Sequence, residues 1–448
     1  MLINLNKNNF DTEVDLPLSK SESNRALMIA FYSNSDFKKL TLSNSDDTIL
    51  LKNLLEKINS YISNCEQSLS SVDNYPLTLN CHNAGTVFRF LMTAVSFLQF
   101  TIDNEELTIC DGQCNNILRF SDSQIFSFLL TGSDRMKQRP IDSLVDALRN
   151  LGVSIEYKEK EGYPPIFIKS VNINGGRVEV SAEKSSQFAS SLLLAAPLLE
   201  NGLELHLTGD ISSLPYIDMT INMMRQCGID IVRNERDITV KPGIYSIDNI
   251  VIEPDWSAAA FWYEMIALSD DSKVLLKNLN IDSLQADSLA AEVFENFGVE
   301  TISVKEGVSI KKSTFNSQLS TFNFQDCPDL FPAVIATCAG LKLNSTFTGL
   351  KNLSIKESDR KKAMMNELRK INISFEEVSD DELMMFCPEE LPCFTEENPI
   401  IFNNYDDHRI AMALSVLSMK IGTISMENTE VVSKSYPDFF RCARCVRD

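Results

Sequence analysis

Two kinds of apolar pattern alternate along the chain. In the first, apolar residues recur three and four positions apart with polar ones between, the mark of a helix that buries one face. Four segments carry it. They are Ser143-Leu144-Val145-Asp146-Ala147-Leu148 running to Gly152, Ile221-Asn222-Met223-Met224 running to Gly228, Ala290-Ala291-Glu292-Val293-Phe294 running to Gly298, and Met364-Met365-Asn366-Glu367-Leu368 running to Asn372. The closing residues stand 76, 70 and 74 positions apart, and Gly or Asn suits the left-handed conformation that ends a helix. Val153, Ile229, Val299 and Ile373 then each open a β-rich run. Leu51 to Ser60 reads as a degenerate fifth copy.

The second pattern is apolar around most of its circumference, as in Ala189-Ser190-Ser191-Leu192-Leu193-Leu194-Ala195-Ala196 and Ile410-Ala411-Met412-Ala413-Leu414. Such helices are buried on most sides. They begin near Ser23, Asn83, Ser186, Ser257, Asp329 and Asp407, where polar residues suit N-caps. The chain thus predicts a repeating unit of buried helix, strand, amphipathic helix and two strands, an α/β (α+β) architecture. Six units fit the length, three to a domain. Repeat phase puts the break near Asn249 to Asp255, where no Gly/Ser linker marks it.

Composition narrows the class. At 448 residues, two or three domains are expected, and 44% hydrophobic with 23% charged residues is globular. No apolar run approaches the roughly 18 residues of a membrane span, and Met1 to Phe10 is too polar for a signal peptide. Eleven cysteines without framework spacing predict reduced thiols in a cytoplasm. Cys442/Cys445 and Cys110/Cys114 lack the further cysteines or nearby histidines a zinc site needs, the histidines being only His82, His206 and His408. Net charge is −21, from 41 basic and 62 acidic residues, which argues against nonspecific binding to nucleic acid or an anionic membrane. Any anionic substrate must then meet locally clustered cations.

Such clusters stand where the buried helices begin: Leu18-Ser19-Lys20-Ser21-Glu22-Ser23-Asn24-Arg25, Asn83-Ala84-Gly85-Thr86 with Arg89, Ser185-Ser186-Gln187, and Asp407-His408-Arg409. Helix N-termini offer unpaired N–H groups and partial positive charge to phosphate or carboxylate. Loops before the amphipathic helices add Arg135-Met136-Lys137-Gln138-Arg139-Pro140, Asn352-Leu353-Ser354-Ile355-Lys356-Glu357-Ser358-Asp359-Arg360, and Lys434-Ser435-Tyr436-Pro437-Asp438. Recurrence in one phase of successive repeats points to a polyanion site.

Together with Pro215-Tyr216-Ile217-Asp218 and Pro328-Asp329, these motifs resemble, in order from Lys20 to Asp438, the 5-enolpyruvylshikimate-3-phosphate synthases. The resemblance implies a two-domain inverse α/β barrel, each domain of three βαβαββ units. One domain would span 19–251 and the other 1–18 plus 252–448, with the active site in the interdomain cleft. It implies transfer of the enolpyruvyl group of phosphoenolpyruvate to the 5-hydroxyl of shikimate 3-phosphate, with no cofactor or metal, by a cytoplasmic monomer. Shikimate 3-phosphate would be held by Lys20, Ser21, Arg25, Ser185, Ser186, Gln187, Ser213, Tyr216, Asp329, Asn352 and Lys356. Phosphoenolpyruvate would be held by Lys20, Asn83, Gly85, Arg139, Gln187, Arg360, Arg409 and Lys434. Asp329 is the implied base, with Lys434 or Lys20 assisting, and Glu357 the implied proton donor. Gly85 implies sensitivity to glyphosate.

Some positions depart from the family's usual residues: His82 for glycine, Phe90 for proline or leucine, and Pro254-Asp255-Trp256 for Gly-Asp and small residues, with Trp256 expected at the hinge. A related enolpyruvyl transferase acting on UDP-N-acetylglucosamine is the rival within enzymes, but it carries Lys-Asn and a loop cysteine where this chain has Lys20-Ser21 and Arg135 to Arg139. A catalytically inactive anion-binding homologue is the rival of another class.

Overall fold

The computed structural model describes residues 1–5, 9–67, 76–98, 126–171, 173–314 and 321–446. From the N-terminus, β1 (Leu2–Ile3) and β2 (Asp11–Val14) precede α1 (Lys20–Tyr32) and α2 (Asp46–Gln67). A full repeat follows: β3 (Leu77–Asn80), α3 (Gly85–Ser96), β4 (Ser127–Thr131), α4 (Asp142–Asn150) and the hairpin β5 (Ser154–Tyr157), β6 (Ile166–Lys169). The next runs β7 (Gly176–Ser181), α5 (Ser186–Ala195), β8 (Leu203–Thr208), α6 (Leu214–Gln226), β9 (Ile231–Asn234) and β10 (Asp237–Val240). Then come α7 (Trp256–Leu268), β11 (Lys273–Lys277), α8 (Ala290–Glu295), β12 (Val299–Val304) and β13 (Gly307–Lys312). After them stand β14 (Thr321–Asn323), α9 (Phe331–Gly340), β15 (Ser345–Thr348), α10 (Arg360–Arg369), β16 (Ser374–Glu377) and β17 (Leu383–Phe386). The chain ends with β18 (Ile400–Phe402), α11 (His408–Ile421), β19 (Ile424–Met426) and α12 (Phe439–Cys442).

The repeat is visible in the sheets. In each four-stranded sheet two parallel strands flank a buried helix in sequence, and the later hairpin adds antiparallel to the second of them: β3-β4-β6-β5, β7-β8-β10-β9 and β14-β15-β17-β16. The sheet β2-β11-β13-β12 keeps that order but takes its first strand from near the N-terminus, with Asp11 opposite Lys273. In the three-stranded sheet, β18 and β19 are parallel and β1 adds to β19. Gly152, Gly228, Gly298 and Asn372 all have positive φ, as their place after an amphipathic helix requires. Leu51 to Ser60 lies within α2.

The chain divides into two compact units, one of residues 1–20, 42–46 and 252–448, the other of 21–41 and 47–251. In the first, α7, α9 and α11 pack on one another. They are apolar on every side because they are enclosed on every side: Trp256, Trp262, Phe331 and Leu414 are at most 1% exposed. Trp256, expected at the hinge, belongs to this core, its Nε1 donating to the Asn280 carbonyl at 3.0 Å. In the second unit α3 packs on α5 and α5 on α6. No helix among the described residues is long and apolar enough to cross a membrane. Nor do they hold a His/Cys/Asp/Glu group suited to a metal; Cys110, Cys114 and the Cys445 side chain lie outside the description.

Candidate active site

Arg25, on α1, is 2% exposed. It donates from Nε to Thr220 Oγ1 at 2.7 Å, from Nη1 to the Ser21 carbonyl at 2.8 Å, and from Nη2 to the Tyr216 carbonyl at 3.0 Å and Ser190 Oγ at 3.3 Å. All four acceptors are neutral. Burial pulls the guanidinium pKa down to about 10 even though Tyr216 and Glu22 push it up. The Phe90 ring lies 5.7 Å from the guanidinium carbon, so the aromatic residue that departs from the family's usual choice backs a buried cation.

A pair of cations, Arg89 and Arg139, sits at the start of α3. That helix follows Ala84, which offers no side-chain cap. A β-carbon built on Gly85 would lie 2.5 Å from Arg89 Nη1 and 2.6 Å from both Cζ and Nη2 of Arg139. The two guanidiniums therefore crowd one spot beside a helix N-terminus, where an anion would be most welcome. Arg89 donates to Gln187 Oε1 at 2.9 Å and lies over the Phe188 ring, while Gln187 donates to Thr86 Oγ1 at 2.7 Å. Arg139 reaches the Asn83 carbonyl at 3.4 Å. Ser185 caps α5 by accepting from the Gln187 N–H, and buried Ser186 opens the helix. Ser213, before α6, has φ +57°, an uncommon conformation for a residue with a β-carbon. Lys20-Ser21, Asn83-Gly85, Ser185-Gln187 and Ser213-Tyr216 thus all stand at helix starts.

In the other unit, the starts of α7, α9, α10 and α11 meet. Arg360, 1% exposed, is bound by three carboxylates: Asp407 at 2.8 Å, Asp329 at 2.6 Å and Glu357 at 2.9 Å. Arg409 Nη2 donates to Asp329 Oδ2 at 2.8 Å, and Lys356 Nζ stands 3.7 Å from Asp329 Oδ1. Burial pushes the Asp329 carboxyl up, but Arg409, Lys356 and Arg360 outweigh it and hold the group well below the usual carboxylate range. Asp407 accepts from Ser358 Oγ and caps α11 through the Arg409 N–H. Asp287 goes the other way. Burial, reinforced by Asp329, pushes it up to about 7 against the pull of Arg409 and Ser257.

His408 is wholly buried, and desolvation followed by Lys20 and Arg409 keeps it well below the ordinary histidine value. It is neutral, so its 3.8 Å approach to Asp407 is not an ion pair. The Lys20 N–H points to Asp255 Oδ2 at 3.5 Å. Lys434, buried, closes a 3-10 segment packed on α11, and half-buried Asn352 lies in the 3-10 segment before Lys356.

Glu357, Asp329, Lys356, Arg360 and Arg409 are thus one network. None of its further members Asp407, Ser257, Ser358 and Asp287, nor Arg89, Thr86, Ser190 and Thr220 in the other unit, is among the substrate-binding or catalytic residues that the sequence implies, although Ser257 and Asp407 stand at expected helix starts and Arg89, Thr86 and Ser358 in the motifs. Asp287 had a signal: it lies just before an amphipathic helix, the phase in which the loops ending at Arg139 and Arg360 carry their charges.

Buried guanidiniums at helix starts, with a carboxylate held among cations, define an anion-handling enzyme of mixed α/β fold. The family model for EPSP synthase (3-phosphoshikimate 1-carboxyvinyltransferase) matches residues 6–442. A 3-phosphoshikimate 1-carboxyvinyltransferase of Bacteroides fragilis is 35% identical, over 95% of this chain and 93% of its own. One from Sulfurovum sp. is 33% identical, over 96% and 95%. An EPSP synthase structure from Acinetobacter baumannii superposes with TM-score 0.67 over 99% of this chain and 97% of its own, at 20% identity. The chain belongs to the EPSP synthase family.

Proposed function

We propose that the chain transfers the enolpyruvyl group of phosphoenolpyruvate to the 5-hydroxyl of shikimate 3-phosphate, releasing phosphate. The observation that carries this reading is the pair of guanidiniums, Arg89 and Arg139, converging on Gly85 at the uncapped start of α3. With the bonds of Arg25 among the described residues going to neutral oxygens, that unit favours multiply charged small anions. In this reading Arg25, Ser185, Ser186, Gln187, Ser213 and Tyr216 take shikimate 3-phosphate together with Lys20, Ser21, Asn352 and Lys356. Arg139, Asn83, Gly85, Arg360, Arg409 and Lys434 take phosphoenolpyruvate.

The chemistry is addition and then elimination. The 5-hydroxyl attacks C2 as C3 takes a proton; the tetrahedral adduct then loses phosphate and a C3 proton. Asp329, bound by three cations, is a weak base at rest. Substrate phosphate and carboxylate compete for those cations, and each one drawn away raises the basicity of Asp329. Glu357, bonded to Arg360 at 2.9 Å, is the candidate donor to C3. Acid–base help of this kind is worth about 10²–10⁴-fold, and charge stabilisation in the arginine-lined site supplies more. The loop 135–139 has no cysteine, which disfavours the UDP-N-acetylglucosamine reading. We also assign the chain to the cytoplasm, in line with its free cysteines, and as a monomer.

The test is phosphate release from the two substrates together. Turnover that needs both, and that glyphosate inhibits in competition with phosphoenolpyruvate, is expected; no release would overturn the assignment.

A further inference from the structure

We propose that Asp287 and Ser257 are positioning residues for this transfer, fixing the Arg409 guanidinium between Asp329 and the incoming anion. The proposal rests on the substrate reading above and extends it to groups outside the expected site. Ser257 Oγ accepts from Arg409 Nη2 at 3.2 Å, and the same nitrogen donates to Asp329 Oδ2 at 2.8 Å. A serine hydroxyl has one proton to give. With Oγ accepting from Arg409, that proton points to Asp287 Oδ2, with which Ser257 makes a hydrogen bond.

Asp287 is 2% exposed, in the 3-10 turn Ala286–Leu289, and its Oδ1 has no hydrogen-bond partner among the described residues. A buried carboxyl left half satisfied costs stability, so its one bond, to Ser257, is where its effect goes. The result is a continuous hydrogen-bonded chain, Asp287 to Ser257 to Arg409 to Asp329, in which Asp287 and Arg409 are buried. An arginine facing a single carboxylate tends to lie flat against it with two parallel bonds. Splitting one Nη between Ser257 and Asp329 ties the guanidinium to the start of α7 as well. A substrate anion then meets an arginine already in place, and less ordering is lost on binding.

The test is steady-state phosphate release by the full chain, with each substrate varied in turn, for Ser257→Ala, Asp287→Ala, the double variant and Asp287→Asn. Each alanine variant is expected to raise KM for phosphoenolpyruvate about tenfold, the scale of one lost hydrogen bond to a charged group. The kcat stays within about threefold and KM for shikimate 3-phosphate is unchanged. The double variant is no worse than the worse single, because both cut one chain. Asp287→Asn, which keeps a hydrogen-bonding group facing Ser257, restores most of the KM. Unchanged KM in the alanine variants, losses that multiply in the double, or a fall in kcat with both KM values rising would overturn the positioning role. Should Asp287→Ala fail to fold, Ser257→Ala, which deletes one oxygen, carries the test with Asp287→Asn. A parent chain that releases no phosphate sinks the substrate reading instead, so the two failures are told apart.

Discussion

A β-carbon at Gly85 would press on Arg89 and Arg139 at once, at 2.5 and 2.6 Å. Both guanidiniums belong to buried side chains, so they can yield only by leaving the place where an anion would sit. Gly85→Ala is therefore expected to fold with a melting temperature near the parent's and to raise KM for phosphoenolpyruvate about tenfold. The inhibition constant for glyphosate rises by more. Equal KM in both proteins would show that the arginines move freely. Arg360 makes the opposite case. It bonds to Asp329, Glu357 and Asp407 at once, and Arg360→Met would strip the buried Asp407 of its guanidinium while Asp329 keeps Arg409 and Lys356, at a cost of about 3–5 kcal/mol. Asp329 gives this a pH sign. Its folded pKa is depressed, so its stabilisation is present above the ordinary carboxylate pKa and lost as pH falls through the lower folded value. Denaturant titration should find the Arg360→Met deficit largest at neutral pH and smaller in acid, where the orphaned carboxylates take up protons.

Among the elements, α7 holds a charge-bearing residue that no partner explains. Glu264 is fully buried in the helix, and both its oxygens lack a hydrogen-bond partner among the described residues. Burial pushes its carboxyl well above the ordinary value. The folded state therefore holds a proton the unfolded chain gives up above the usual glutamate pKa, and stability falls as pH rises beyond it. Glu264→Met is expected to stabilise by about 1–3 kcal/mol at pH 5 and by more at pH 8. A melting temperature that drops, or a gain independent of pH, would show that the carboxyl has a compensating role. The helices themselves were legible in the sequence. Six begin within about three residues of the polar positions that open them, because an all-apolar helix needs a polar start. Ser185, Asp255 and Asp407 do cap, whereas α3 and α9 follow Ala84 and Leu330 without a side-chain cap. Charged residues at those starts were legible too. Ser190 and Thr220 were not, since a small hydroxyl inside an apolar helix reads as core until a guanidinium is seen bonded to it. His82 was readable only in part. Its φ of +46° accounts for the glycine usual there, but the chain pattern alone does not reveal a turn.

At the scale of the whole molecule, net charge of −21 is an average over very uneven ground. Arg25, Arg89, Arg139, Arg360 and Arg409 are all buried, so a distant anion meets the repulsion of the net negative charge before it reaches these cations. Association of two anionic substrates should accelerate as salt screens that outer field; stopped-flow binding rates that fall with added salt would contradict it. The pairing of β2 with β11 has a consequence in time. Asp11 lies opposite Lys273, 262 residues later in the chain. At about 5–20 residues per second on a ribosome, β2 waits roughly 13 to 52 seconds for the strand that will lie beside it. Residues 21–251 emerge during that interval and can collapse into their own unit first. The earliest segment made is thus among the last to find its place, and for most of translation it travels as an unmatched strand.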